Sequence, residues 1–127
     1  MSKRILVVED DAQNSYLIQF ILEKSGYAVE LVSDGEQAVA WVEEADPKPD
    51  LVLMDMLLPK MNGYEATRAI KAGPDTGDIP IIALTAYSMK GEREKILEAG
   101  CDGYISKPID PETFVSQMEE FLPPREA

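Results

Sequence analysis

Four short apolar runs in the chain each end in residues that can bind ions or react. The residues that follow these runs are Glu9-Asp10-Asp11, Asp55, Thr85-Ala86 and Lys107-Pro108. If the runs are parallel strands of one sheet, their carboxyl ends share an edge, which is where α/β sheets bind ligands. The sequence therefore predicts a single site that contains several carboxylates, a hydroxyl group and an amine.

Carboxylates that share a crevice repel each other unless a proton or a cation relieves the repulsion. The chain has no histidine and a single cysteine, Cys101, so oxygen atoms are the donors at this edge. Oxygen donors favour a hard cation, and Mg²⁺ is the cation that we expect. With Mg²⁺ and Lys107 balancing the charge of phosphoryl oxygens, a carboxylate could act as the in-line nucleophile of phosphoryl transfer.

An alternation of apolar runs and helical patterns positions these residues. Strands are predicted at 5–8, 28–32, 51–54, 81–84 and 103–106, and helices at about 11–24, 34–46, 62–72, 88–99 and 110–122. Continuous apolar runs are typical of strands that are buried on both faces. Five β-α units in a row predict a flavodoxin-like, doubly wound α/β fold, with a parallel five-stranded sheet of order 2-1-3-4-5.

Capping residues and apolar spacing support these helices. Asp34 and Asn62 have the spacing of helix caps, Ser88 is the predicted cap of the fourth helix, and Asp110 with Pro111 opens the last one. Gly91 is expected inside the first turn of the fourth helix and would weaken it. The apolar residues at helical spacing are Leu17, Phe20 and Ile21 in the first helix, and Phe114, Val115, Met118 and Leu122 in the last.

Composition indicates one globular domain and excludes several functions. The chain has 127 residues, of which 45% are hydrophobic, and 24 acidic against 12 basic residues give a net charge of −12. Such a charge argues against binding to nucleic acid or to an anionic membrane. The lack of histidine excludes a Ser-His triad and a phosphohistidine carrier. No apolar run reaches the roughly 18 residues of a membrane span, so we expect a cytoplasmic protein.

The whole chain resembles a response-regulator receiver domain, the CheY-like family of two-component signalling. Five motifs carry this resemblance, in order and with the family's spacing. They are Val7-Val8-Glu9-Asp10, Leu53-Met54-Asp55-Met56, Pro59 with Asn62-Gly63, Leu84-Thr85-Ala86, and Ile105-Ser106-Lys107-Pro108. One such motif would be weak, whereas five in register are specific. The stretch from Thr85 to Gly91 is most similar to stand-alone receivers of the cell-division-control type.

The resemblance implies how the site residues act on phosphate. Asp55 would accept the phosphoryl group, and Lys107 would pair with Asp55 beforehand and then bind a phosphoryl oxygen. Thr85 and the backbone amide of Ala86 would bind the other oxygens. Tyr104 occupies the position of the family's switch aromatic, which would swing inward when Thr85 moves.

The resemblance also implies the metal ligands. Asp10 would bind Mg²⁺ directly and Glu9 through water, together with Asp55 and the backbone carbonyl of Leu57. The acidic pair is Glu-Asp here rather than Asp-Asp. The Lys107–Pro108 bond would be cis, which proline tolerates. Leu57 and Tyr87 flank the path of a hydrolytic water, and these bulky side chains predict slow self-dephosphorylation.

A two-component or phosphorelay response regulator of bacterial type is the function that the resemblance implies. A histidine kinase or histidine phosphotransfer protein would donate the phosphoryl group, since the chain has no histidine. Phosphorylation would switch binding of a downstream protein target through the fourth helix, fifth strand and fifth helix. The protein would catalyse only its own aspartyl phosphorylation and dephosphorylation. We expect one receiver domain over 1–127, with a core of about 4–122, no output domain, and a monomer or weak dimer.

Three other functions compete with this interpretation. A phosphatase of the haloacid-dehalogenase type needs a second acid two residues after its nucleophile, where this chain has Leu57. A flavodoxin-type domain needs a Ser/Thr/Gly-rich phosphate loop after the first strand, and Glu9, Asp10 and Asp11 would repel the FMN phosphate there. A receiver-like module could also dock proteins without phosphorylation, but the intact site residues argue against it.

Overall fold

The computed structural model describes residues 3–58, 61–86 and 91–122. Five strands alternate with five helices in this part of the chain. The strands are β1 Arg4–Val8, β2 Ala28–Val32, β3 Leu51–Asp55, β4 Ile81–Thr85 and β5 Gly103–Ser106. The helices are α1 Ala12–Lys24, α2 Gly35–Glu44, α3 Gly63–Ala72, α4 Glu92–Ala99 and α5 Phe114–Glu119. Among these helices, none has the length and apolar character to cross a bilayer.

The five strands form one parallel sheet of order β2-β1-β3-β4-β5. The predicted flavodoxin-like fold is thus confirmed. β1 and β3 are neighbours, with Val8 opposite Met54, and β3 and β4 are neighbours, with Asp55 opposite Leu84. This register brings the carboxyl ends of these strands to one edge of the sheet.

Two apolar cores cover the two faces of the sheet. β1, β3 and β4 are buried almost throughout, and their side chains alternate between the faces as strand geometry requires. One core joins Leu6, Val8, Val52 and Met54 to residues of α2, α3 and α4, and the other joins Ile5, Val7, Leu51 and Leu53 to residues of α1 and α5. The central strands are therefore fixed from both sides, and the residues that follow them are anchored.

Helix starts follow the predicted caps at two positions and differ at two others. The Asp34 side chain accepts from the Gln37 amide, and Asn62 forms a capping box, as predicted. Gly91 lies before α4 rather than in its first turn, with a left-handed φ of +88°, and the predicted cap Ser88 lies outside the described residues. Asp110 holds a turn at 111–113, and α5 itself starts only at Phe114.

Two of the apolar residues that have helical spacing in α1, Leu17 and Phe20, do not belong to its buried face. Ile18, Ile21 and Leu22 are the residues of α1 that pack against the sheet. Phe20 is 64% exposed and Leu17 is 37% exposed, although Phe20 and Ile21 lie three and four residues after Leu17, as on one apolar face of a helix. Helical periodicity alone could not decide between the two apolar faces, because only the position of the sheet selects the buried one.

Gly63 begins α3 directly under the loop that follows β3, and its amide donates to the Met56 carbonyl. A Cβ at Gly63 would lie 2.3 Å from the Asp55 carbonyl oxygen and 2.7 Å from Met56 Cα. We expect Gly63→Ala to lower the free energy of unfolding by about 3 kcal/mol, the upper part of the range for overpacking, because backbone atoms cannot rotate away.

Denaturant unfolding measures this loss, and Gly26→Ala is the control. Gly26 has a φ of +95° with no atom within 4 Å of an added Cβ. Its substitution tests backbone strain without a collision and should cost only about 1 kcal/mol. An equal cost for the two variants would contradict the predicted collision at Gly63.

Candidate functional site

Three predicted acids meet at the carboxyl edge of the sheet. Glu9 and Asp10 follow β1, and Asp55 is the last residue of β3. One carboxylate oxygen from each lies within 4.8 Å of the others. Glu9 and Asp55 are buried, whereas Asp10 is exposed and open to an incoming ligand. The adjacency of β1 and β3 accounts for this cluster, since it brings two strand ends together.

Asp11 does not join this cluster. Its side chain accepts hydrogen bonds from the backbone amides of Gln13 and Asn14, and it thereby caps α1. Capping leaves Glu9 and Asp10 as the acids of the β1 end that belong to the site.

Lys107 reaches the acids from the loop after β5. Its Nζ atom lies 3.1 Å from Glu9 Oε2 and 3.1 Å from Asp55 Oδ2, so one ammonium group bridges both buried carboxylates. The Lys107 amide also donates to the Thr85 carbonyl over 2.7 Å. The Lys107–Pro108 bond is cis, as the resemblance implied.

The electrostatics of the site reflect burial and crowding. Burial and then the charge of Asp55 raise the pKa of Glu9, and Lys107 counteracts them. For Lys107, burial by itself acts to lower the pKa, but the hydrogen bond that Lys107 donates to Glu9 and the two carboxylate charges raise it overall. Lys107 therefore stays cationic, yet it offsets only one of the three carboxylates.

This donor set fits a hard divalent cation. The clustered atoms are carboxylate oxygens, and one of the acids faces solvent while two are buried. Hard cations such as Mg²⁺ bind through carboxylates, carbonyls and water. The Leu57 amide donates to Asp55 Oδ1 over 3.0 Å, which fixes the loop after β3 beside the acids. A ligand role for the Leu57 carbonyl stays a prediction.

Thr85 and Lys107 line one cavity with Asp55. The cavity has a volume of about 310 Å³ and also contacts Ala86, Leu57 and Tyr64. Thr85 is only 3% exposed, and its hydroxyl donates to the Glu92 carboxylate at the start of α4. A hydroxyl and an amine thus face the same space as Asp55, which suits a group with several anionic oxygens.

Three residues of this cavity, Tyr64, Glu92 and Lys95, were missed by sequence reasoning. Glu92 has the pattern of an ordinary first-turn acid, which is common because it complements the helix dipole. Tyr64 follows Gly63 in the first turn of α3, and no signal in the sequence separates it from packing aromatics. Burial and then the charge of Glu92 raise the pKa of Tyr64, and both side chains line this cavity.

Tyr104 is half-buried and packs against the core on the α2, α3 and α4 side of the sheet. It follows the first residue of β5, opposite Ala83 of β4. This position is compatible with a switch aromatic, and the switch role itself stays a prediction. Pro59 and Tyr87, which were also part of the predicted pattern, lie outside the described residues.

Comparison with known proteins identifies the family. The sequence profile of the response regulator receiver domain matches residues 5–119, most of the chain. The chain belongs to this family. Receiver domains are signalling domains of two-component systems and not enzymes in the usual sense. The resemblance inferred from five motifs is therefore confirmed, and the docking, phosphatase and flavin alternatives are not favoured.

Named relatives agree with this assignment. The polar-differentiation response regulator DivK of Brucella anthropi is 38% identical over 122 residues, which cover 96% of this chain and 98% of the relative. The receiver domain of a Pseudomonas aeruginosa sensor histidine kinase is 40% identical, with a TM-score of 0.86 over 95% of this chain and 98% of that one. That structure holds a magnesium ion in its active-site cleft.

The structural likeness extends to chemotaxis receivers. Chemotaxis protein CheY4 of Vibrio cholerae is 26% identical, with a TM-score of 0.89 over 96% of this chain and all of that chain. The fold is thus shared with the receiver domain of a sensor histidine kinase and with a chemotaxis protein.

The acid cluster predicts binding of a divalent cation, which thermal unfolding with and without Mg²⁺ measures. A ligand that binds only the folded state stabilises it by about 2.7 kcal/mol at a hundred times its dissociation constant. We expect Mg²⁺ to raise the midpoint of the wild-type protein, and Asp10→Asn to remove most of that rise.

Asp11→Asn is the matched control for this titration. It removes the same charge from the next residue, and asparagine still caps a helix. The Mg²⁺ response should therefore remain in this variant. Equal responses of Asp10→Asn and the wild type would argue against the cluster as the cation site.

Proposed function

We propose that Asp55 is the phosphoacceptor of this receiver domain and that its phosphorylation switches the binding of a partner protein. The geometry of the Asp55 carboxylate carries the proposal. Oδ2 is 3.1 Å from the Lys107 ammonium and Oδ1 is 3.0 Å from the Leu57 amide. The carboxylate is nearly buried, yet it lines the cavity that Thr85 shares. A nucleophile is thus held in place beside groups that can bind the transferred oxygens.

The proposed step is attack of an Asp55 carboxylate oxygen on the phosphorus of a phosphohistidine. The new phosphorus–oxygen bond forms as the phosphorus–nitrogen bond breaks, and the donor nitrogen keeps the electron pair. Lys107 would bind one phosphoryl oxygen, while the Thr85 hydroxyl and the Ala86 amide would bind others. The protein would catalyse this transfer, and the later hydrolysis of the aspartyl phosphate, only on itself.

Mg²⁺ would supply positive charge to the phosphoryl oxygens during the transfer. Asp10 would hold it directly and Glu9 through water, with Asp55 and the Leu57 carbonyl as further ligands. The clustered carboxylate oxygens of Glu9, Asp10 and Asp55 support this assignment, as does the magnesium ion in the cleft of the Pseudomonas receiver.

A histidine kinase or histidine phosphotransfer protein is the proposed donor, because this chain has no histidine of its own. α1 offers such a protein an apolar face close to the acids. Tyr16 is 75% exposed and Phe20 is 64% exposed, and both follow Asp10 within the first three turns of the helix. Exposed apolar patches mark interaction surfaces more often than chance.

The output of the switch would be a downstream protein that binds α4, β5 and α5. Thr85 and Tyr104, the two proposed switch residues, lie on β4 and β5 beside this surface. We propose that the protein works as a monomer or weak dimer.

Intact mass after incubation with acetyl phosphate and Mg²⁺ tests the proposal. We expect one added phosphoryl group in the wild-type protein and none in Asp55→Asn or in the presence of a chelator. Asp78→Asn, which changes an exposed acid far along the sequence from the cluster, is the control and should be labelled like the wild type. Phosphorylation of Asp55→Asn would mean that the acceptor is another residue.

Leu57 generates a prediction about the lifetime of the phosphoryl group. Its side chain is 78% exposed and lines the cavity at Asp55, where a leucine cannot hydrogen-bond to an attacking water. We expect Leu57→Asn to hydrolyse its aspartyl phosphate several times faster, as measured by the decay of the phosphorylated mass. Leu97→Asn, on the exposed side of α4, should leave the decay unchanged. If the decay is unchanged in Leu57→Asn, the Leu57 side chain does not slow the hydrolysis.

A further inference from the structure

Glu92 is a charged residue of the site cavity that the phosphoryl chemistry above does not use. It is the first residue of α4, and its carboxylate accepts the hydrogen bond of the Thr85 hydroxyl. Glu92, Thr85 and Asp55 line the same cavity of about 310 Å³. The effect of Glu92 on the pKa of Tyr64, another residue of this cavity, agrees with a carboxylate that faces inward.

The hydroxyl group of Thr85 has a single proton to donate. It cannot donate to Glu92 and to a phosphoryl oxygen at the same time. A hydrogen bond to a carboxylate is stronger than one between neutral groups, so the contact with Glu92 competes with the proposed phosphate contact. A phosphoryl group on Asp55 also replaces the single negative charge of the carboxylate with about 1.5 to 2 negative charges on phosphate oxygens, which would repel the Glu92 carboxylate across the shared cavity.

We propose that Glu92 is a positioning residue that holds the Thr85 hydroxyl away from the phosphoryl site, and that phosphorylation exchanges this bond for one to the phosphoryl group. The inference rests on the proposed function of Asp55. It adds the Thr85–Glu92 hydrogen bond as a contact that opposes binding of the phosphoryl group by Thr85.

The start of α4 is built so that this exchange would reach the helix. Glu92 is in the first turn, so its release from Thr85 frees the first turn from the edge of β4. Gly91, which precedes it, has a left-handed φ of +88° and makes no side-chain cap bond. The Thr85–Glu92 bond is thus the described side-chain contact that ties the first turn of α4 to the site, and α4 belongs to the proposed output surface.

Affinity for beryllofluoride, a mimic of the phosphoryl group, tests the inference in the presence of Mg²⁺. Amide NMR shifts of the full chain report binding. We expect Glu92→Ala to bind about tenfold more tightly than the wild type, the size of effect expected for one hydrogen bond to a charged group. Glu92→Gln should lie between the two, because its amide oxygen still accepts a hydrogen bond but has no charge.

Glu94→Ala is the matched control. Glu94 is the other acid in the first turn of α4, it is exposed, and it does not line the cavity. The variant loses the same charge and the same interaction with the helix dipole. It should bind beryllofluoride like the wild type, and a gain equal to that of Glu92→Ala would assign the effect to general charge or helix stability.

Thr85→Val separates positioning from repulsion by charge. If Glu92 acts through the Thr85 hydroxyl, Glu92→Ala will give a much smaller gain in affinity when Thr85 is already valine. An equal gain in both backgrounds overturns the inference, because Glu92 would then act without Thr85. Thermal unfolding of each variant verifies that the comparison is made between folded proteins.

The wild-type measurement distinguishes failure of this inference from failure of the proposed function. If the wild type binds beryllofluoride and takes up a phosphoryl group, but Glu92→Ala behaves identically, only the role of Glu92 is wrong. If the wild type neither binds beryllofluoride nor takes up a phosphoryl group at Asp55, the proposed phosphoacceptor is wrong, and the inference about Glu92 is wrong as well.

Discussion

The bridge from Lys107 to Glu9 and Asp55 is the interaction on which the site depends. Two carboxylates are buried at adjacent strand ends, and leaving either one without a partner would be costly in a medium of low dielectric constant. The Lys107 ammonium lies 3.1 Å from each. The bridge requires that β1 and β3 be neighbours in the sheet. The chemistry of the site therefore depends on the order of the strands.

The residual charge of this cluster gives the site its capacity to respond. Lys107 offsets one carboxylate of three, and Asp55 lines a cavity that reaches α4. A cation or a phosphoryl group would change this balance by whole charges. Glu92 couples the balance to α4, since its carboxylate is bonded to Thr85 at the rim of the same cavity. Electrostatics at the sheet edge can thereby move a surface that partners contact.

The acceptor and the acids lie at the ends of buried strands, whereas the surfaces proposed to contact partners include the helices α1 and α4. β1, β3 and β4 are buried from both faces, so the acceptor and the acids are held on fixed strands. α1 exposes Tyr16 and Phe20, and Gly91, which precedes α4, provides no side-chain cap.

The parts of this protein that depend on local signals could be predicted from its residues. The continuous apolar runs and the Asp34 and Asn62 caps defined strands and helices, and the strand-end acids with Thr85 and Lys107 indicated the site. Sequence did not determine which apolar face of α1 is buried, or that Glu92 meets Thr85. Apolar periodicity shows which residues of a helix share a face, but not which face packs against the sheet. The contacts of α1 and of Glu92 form when the sheet brings distant segments together. Both contacts therefore became visible in the folded protein and not in its sequence.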